Sequence, residues 1–112
     1  MTKPNIPIWE VPVVTDLVDA LLMRGFSIEI SEPYYDDEPL LESTTNRHSI
    51  LASLNQCDED VLSVADEDGY MGYWWLIYNN GSEHDPMVVI SDYVSNPVFN
   101  DIWNELNERY GA

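Results

Sequence analysis

Three carboxylate triplets mark the chain: Asp36-Asp37-Glu38, Asp58-Glu59-Asp60 and Asp66-Glu67-Asp68. Glu83 and Asp85 form a fourth group. Acids at such spacing can do three kinds of chemistry. They can ligate a hard cation such as calcium, exchange protons with a substrate, or attract a cationic partner surface. Asp58-x-Asp60 and Asp66-x-Asp68-Gly69 hold fragments of a calcium loop. Neither continues into the full pattern with its closing glutamate, so no specific metal site and no cofactor is expected. Proton exchange needs a base or nucleophile near neutral pH, and only His48, His84 and Cys57 qualify. They are far apart along the chain. His48 is expected in the first turn of a helix, His84 in an exposed turn and Cys57 as a small packed residue after a helix. No phosphate-binding glycine loop, nucleophile elbow or zinc pattern accompanies them, so the chain reads as non-enzymatic.

Attraction to a cationic partner remains, and the overall charge favours it. Twenty-one Asp and Glu face four Lys and Arg, for a net charge of −17 and a pI near 4.1. Further acids lie in the helical segments, at Asp16, Asp19, Asp101, Glu105 and Glu108. Nucleic acid and anionic membrane both need positive charge, so direct binding to either is not expected. A basic protein is the favoured partner, and association should be fast and salt-sensitive. The alternative account is that the acidity serves solubility alone. Cys57 is the single cysteine, so no internal disulfide can form, which suits a reducing compartment. The opening "MTKPNIPIWEVPVV" lacks a signal-type apolar run, and no segment approaches the roughly 20 apolar residues of a membrane span. A cytoplasmic location is the expectation.

The elements that position these acids follow from periodicity. Pro4, Pro7 and Pro12 give an extended arm over 1–12, with Trp9 as its anchor. Residues 13–112 then form one domain. Val14, Leu17, Val18, Leu21 and Leu22 keep the spacing of a buried helical stripe, and Gly25 suits the left-handed position after it. "FSIEIS" alternates cleanly as a half-buried strand. A second short strand is expected around Leu40–Ser43, beyond an acidic loop. Thr45 or Asn46 caps a second helix carrying Ile50, Leu51 and Leu54. Asp68-Gly69 joins two apolar runs as a hairpin. "MVVISDY" reads as a fifth strand. Asn96 followed by Pro97 opens the last helix, whose stripe is Val98, Phe99, Ile102, Trp103 and Leu106. The order α-β-β-α-β-β-β-α, with hairpin-length connections, predicts an α+β fold: a five-stranded, mainly antiparallel sheet with three helices.

"YWWLIY" raises the remaining question. In a strand, Tyr73, Trp75 and Ile77 share one face, while Trp74, Leu76 and Tyr78 share the other. Neither face is polar, so the centre of the sheet calls for cover on both sides, whereas "FSIEIS" reads as an edge. Three covers satisfy this: the arm with Tyr34 and Tyr35 of the acidic loop, a second copy of the chain, or a partner. Tyr73, Trp74, Trp75 and Tyr78 are therefore candidate interface aromatics, since interfaces favour Trp and Tyr over Lys and Glu.

Several short runs carry a resemblance. They are Leu21–Ile28, Ser43–Arg47, Asp58–Asp60, Gly72–Trp74 and Ile90–Tyr93. Together they resemble small acidic proteins of phages and prophages, over about residues 15–106. The resemblance implies a source and a role against host machinery; it carries over no catalytic residue.

The expectation is a non-enzymatic acidic protein that binds a basic partner, such as a nucleic-acid-binding protein, through carboxylates standing in for phosphates. The alternative is an assembly module that forms a homodimer through the aromatic sheet face.

Overall fold

The computed structural model describes residues 6–33 and 38–111. Its element order is α1 (Val11–Met23), β1 (Ser27–Ser31), β2 (Leu41–Thr44), α2 (Arg47–Ser53), β3 (Glu59–Asp66), β4 (Gly69–Ile77), β5 (Ile90–Tyr93) and α3 (Pro97–Tyr110). This is the expected α+β order. The five strands form one sheet, ordered β2-β1-β3-β4-β5, and every pairing is antiparallel.

Local chemistry sets the helix ends. The Asn46 side chain accepts from the Ser49 N–H at 2.9 Å, and Asn96 accepts from the Phe99 N–H at 2.8 Å; both are cap bonds that satisfy otherwise orphaned helix donors. Gly25 follows α1 with φ of 84°. The arm ends earlier than its prolines imply: α1 begins at Val11, with Pro12 in its first turn. Proline blocks a helix interior, but its missing N–H costs nothing in the first turn. The described part of the arm joins the core through Ile6. Buried Glu10 accepts from the N–H groups of Asn79 and Gly81, at 2.8 and 3.1 Å, and so ties α1 to the turn after β4.

The core lies between the three helices and one face of the sheet. That face presents Ile28, Ile30, Leu62, Val64, Trp74 and Leu76 to Val14, Leu17, Leu21, Phe99, Ile102 and Leu106. Trp74 stacks on Tyr93 with ring centroids 4.5 Å apart, and Tyr93 stacks on Trp103 at 5.6 Å. An irregularity in the β3–β4 ladder falls at Gly72. Val64 faces Gly72, whereas Ala65 faces Tyr70, so Met71 is the extra residue. It places Tyr70 on the same face as Tyr73 despite their odd spacing.

Two expectations change. "MVVISDY" is not one strand: Pro86–Val89 forms a 3-10 turn that buries Met87 and Val89, and only Ile90–Tyr93 pairs with β4. Pro86 opens that turn, and its missing N–H disfavours a strand start inside the ladder. The strand of "FSIEIS" is not an edge either, because β1 lies between β2 and β3. The edges are the two four-residue strands β2 and β5, whose shortness limits exposed backbone.

Candidate partner-binding surface

β4 alternates without a break from Gly72 onward. Gly72, Trp74, Leu76 and Tyr78 are buried; Tyr73, Trp75 and Ile77 are half-buried. β3 does the same, with Asp60, Leu62 and Val64 inside and Val61, Ser63 and Ala65 half-buried. The adjacent tryptophans thus part company: Trp74 is fully buried under α3, and Trp75 stands on the opposite face. No described helix or strand packs over that second face. Tyr34 and Tyr35, one of the expected covers, lie outside the described residues.

Strand register fixes what the second face displays. One cross-strand row runs Ser31–Val61–Trp75–Asp92, the next Glu29–Ser63–Tyr73, and Glu59 lies opposite Ile77. The centre is aromatic and aliphatic, and the flanks are acidic. Two of the aromatics hold two of the acids. The Trp75 Nε1–H donates to Glu59 Oε1 at 2.9 Å, and the Tyr73 hydroxyl donates to Asp92 Oδ2 at 3.0 Å. The backbone N–H of Tyr93 donates to Asp92 Oδ1 at 2.9 Å. Hydrogen bonding to Asp92 and its negative charge push the Tyr73 phenol above its ordinary pKa, which keeps it protonated as a donor.

The expected acidic groups separate by position along the sheet. Asp58 and Glu59 open β3, Glu83 and Asp85 follow β4, and Glu38 lies in the loop between β1 and β2, so all gather at one end. Asp66, Glu67 and Asp68 form the β3–β4 hairpin at the other end, where the Asp68 N–H donates to Asp66 Oδ1 at 2.8 Å. Eight strand residues separate the two ends, about 25–30 Å. Asp58, Glu67, Asp68 and Glu83 are exposed, and Asp36 and Asp37 lie outside the described residues.

Three of the expected binding residues do not belong to any binding surface. Asp60 is fully buried, because its position on β3 points to the core; it accepts from the Asn55 N–H at 2.8 Å and the Tyr78 hydroxyl at 2.5 Å. Burial foremost, with the charge of Asp60, pushes the Tyr78 phenol far above its ordinary pKa. Tyr78 and Trp74 are core residues and not interface aromatics. Conversely, Glu29 and Asp92 belong to the second face although neither sits in an acidic run. The signal was the register: in an antiparallel sheet, the cross-strand neighbours of Tyr73 and Trp75 share their face.

The cations are segregated from this face. Arg24 pairs with Glu105 at 3.1 Å, Arg47 with Asp19 at 2.6 Å and Arg109 with Asp16 at 3.0 Å. All three pairs lie in the helical layer, two of them joining α1 to α3 and one joining α1 to α2. The fourth cation, Lys3, lies outside the described residues. Among the described residues the second sheet face therefore carries acids and no balancing positive charge.

His48 is exposed on α2, and His84 is exposed in the turn after β4. The Cys57 thiol donates to Glu32 Oε1 at 3.1 Å, and that hydrogen bond, then burial and the nearby carboxylates, push its pKa up to about 11. It is protonated at neutral pH and so a poor nucleophile. Among the described residues no group of three His, Cys, Asp or Glu side chains is placed to hold a metal ion. No described helix is long and apolar enough to cross a membrane. Comparison with protein-family models, curated proteins and solved structures finds no match to this chain.

Proposed function

We propose that this chain is a non-enzymatic acidic interaction protein that binds a basic surface of a partner, of the kind that nucleic-acid-binding proteins present to phosphates. The observation that carries this reading is the segregation of charge. The described arginines are each paired within the helical layer, while among the described residues the second sheet face and the turns at both of its ends carry carboxylates and no cation. A face of this kind would attract Lys and Arg and repel nucleic acid, and both effects weaken with salt. Two copies joined through this face would bring two sets of acids into one interface, and like charges in an interface cost affinity. That consideration ranks the partner reading above the homodimer. The resemblance to small acidic phage proteins, on this reading, would place the partner in host machinery.

The test is binding to a panel of basic nucleic-acid-binding proteins at low and moderate salt, with an unrelated acidic protein of equal net charge as the control. Binding tighter than that of the control protein, and weakening as salt rises, supports the proposal. Binding no tighter than that of the control protein overturns it. A salt-insensitive homodimer in light scattering would favour the assembly module instead.

A further inference from the structure

The turn after β4 sets a reactive dipeptide against a buried carboxylate. Asn80 is exposed and precedes Gly81, and no other asparagine of the chain is followed by glycine. An asparagine in that setting reacts with its own backbone. The Gly81 nitrogen attacks Asn80 Cγ, the ring closes as a succinimide, and the Nδ2 group leaves as ammonia, taking up the proton from Gly81. Water then opens the ring at either carbonyl, which gives aspartate or isoaspartate at position 80. A side chain on the following residue hinders ring closure, and glycine has none. Packing in turn demands glycine here, because a Cβ at Gly81 would lie 2.7 Å from the Asp85 carbonyl oxygen.

The native turn holds back both reacting groups. The Gly81 N–H donates to Glu10 Oε2 at 3.1 Å, and Asn80 Nδ2 donates to the Val88 carbonyl oxygen at 3.2 Å. The Gly81 nitrogen becomes a nucleophile only on losing its proton. A carboxylate that accepts from this N–H keeps the proton in place twice over, through the hydrogen bond and through its negative charge. Glu10 is fully buried and also accepts from the Asn79 N–H at 2.8 Å, so it is fixed at the turn.

We propose that Asn80 and Gly81 form a self-modification site, guarded by Glu10 and opened when the start of α1 leaves the turn. Isoaspartate adds one carbon to the backbone between position 80 and Gly81, and so moves the Gly81 N–H off Glu10. Either product also adds a carboxylate to a turn that already encloses one, and like charges repel. A chain modified to isoaspartate no longer re-forms the tie between α1 and the turn. Release of the start of α1 is thereby made permanent.

The full chain is incubated in mildly alkaline buffer, with and without urea, then digested and read by mass spectrometry. The mass gain of amide turned to acid should appear in the peptide that carries Asn80 before any other asparagine peptide. It should appear at least about tenfold more slowly in the native chain than in urea. Glu10→Gln removes the charge at the Gly81 N–H. It should speed native modification at least about threefold beyond what its loss of global stability in urea accounts for. Gly25→Ala lowers stability at the far end of α1 without touching the turn, and should speed it no further than its own stability loss requires. Hydrogen exchange on the unsubstituted chain needs no variant to fold. There the Gly81 amide should exchange at least about tenfold more slowly than in the unfolded chain. An unprotected Gly81 amide, native modification as fast as that in urea, or a Glu10→Gln rate explained by global stability alone overturns the guard. No conversion at Asn80 in urea overturns the site itself.

Discussion

The Tyr78 hydroxyl donates to Asp60 Oδ2 at 2.5 Å inside the core, and the same oxygen accepts from the Asn55 backbone at 2.8 Å. One buried carboxylate thus joins the segment after α2 to the end of β4. Replacing it leaves two buried donors without their acceptor. Asp60→Ala should destabilise the fold by about 2–4 kcal/mol in urea unfolding, and Tyr78→Phe by about 1–2 kcal/mol. Asp60→Asn should leave partner affinity within about twofold where the chain stays folded, since the side chain never reaches the surface. A large affinity loss in folded Asp60→Asn would contradict the placement of Asp60 as structural.

Gly72 sits where the β3–β4 ladder slips, with φ of 150°. A Cβ there would lie 2.8 Å from Val94 Cβ and 3.1 Å from a Phe99 ring carbon. Phe99 is held in place, being fully buried beneath Trp74. Gly72→Ala should therefore cost about 2–4 kcal/mol, from backbone strain together with overpacking. Gly25→Ala is the control: its φ of 84° is also unfavourable, but a Cβ there meets no atom within 4 Å. It should cost about 1–2 kcal/mol. Equal losses at the two positions would mean that crowding at Gly72 is relieved by movement of Val94.

The contrast between Asp60 and Asp92 shows how far the sequence could be read. Helix stripes, the Asn96 cap and the α+β order follow from local rules, because spacing and cap chemistry act within a few residues; those rules leave the second cap between Thr45 and Asn46, and Asn46 takes it. Alternation also separates Trp74 from Trp75. What alternation alone does not supply is which acid belongs to which face. Asp60 stands in an acidic run that reads as a surface turn, but it opens β3 on the core side and finds two donors, one of them brought by the distant end of β4. Asp92 stands alone in sequence and reaches the second face, with Trp75, only because β5 pairs with β4 in the register Trp75↔Asp92. The 3-10 turn at Pro86–Val89 escapes local rules for a similar reason: β-branched residues favour a strand, and tertiary burial of Met87 and Val89 overrides that preference. Composition supplies the net charge, but the placement of all three described arginines in the helical layer, away from the second sheet face, needs the tertiary structure.

Cys57 offers a pH test. Its folded pKa, raised to about 11 by the Glu32 hydrogen bond and by burial, lies above the ordinary value of 9.0 for a free thiol. The fold therefore favours the protonated thiol, and the folded state keeps its proton where the unfolded chain has begun to lose it. This contribution to stability is complete below about pH 9 and is lost as pH rises through about 11. Alkylation of the native chain at pH 8 should run at least about tenfold slower than in denaturant, since the thiolate is the reacting form. Glu32→Gln removes the charged acceptor and should speed native alkylation. A native rate matching that of the unfolded chain would refute the Cys57–Glu32 contact.

The net charge of −17 sets the response to salt. Repulsion among carboxylates acts over many pairs and long distances, and it grows as screening falls. The three arginine pairs oppose it only locally, and exposed pairs of this kind contribute about 0–1 kcal/mol each. The Debye length is about 30 Å at 0.01 M salt and about 3 Å at 1 M, so raising salt removes far more repulsion than attraction. The melting temperature should rise by several degrees over that range. Chloride and sulfate salts should act in the same direction at equal ionic strength. Asp101→Asn/Glu108→Gln removes two negative charges from exposed positions of α3, and should raise the melting temperature at low salt and flatten its salt dependence. A melting temperature that falls with sodium chloride would mean that the arginine pairs, and not the surplus carboxylates, dominate the electrostatics of the fold.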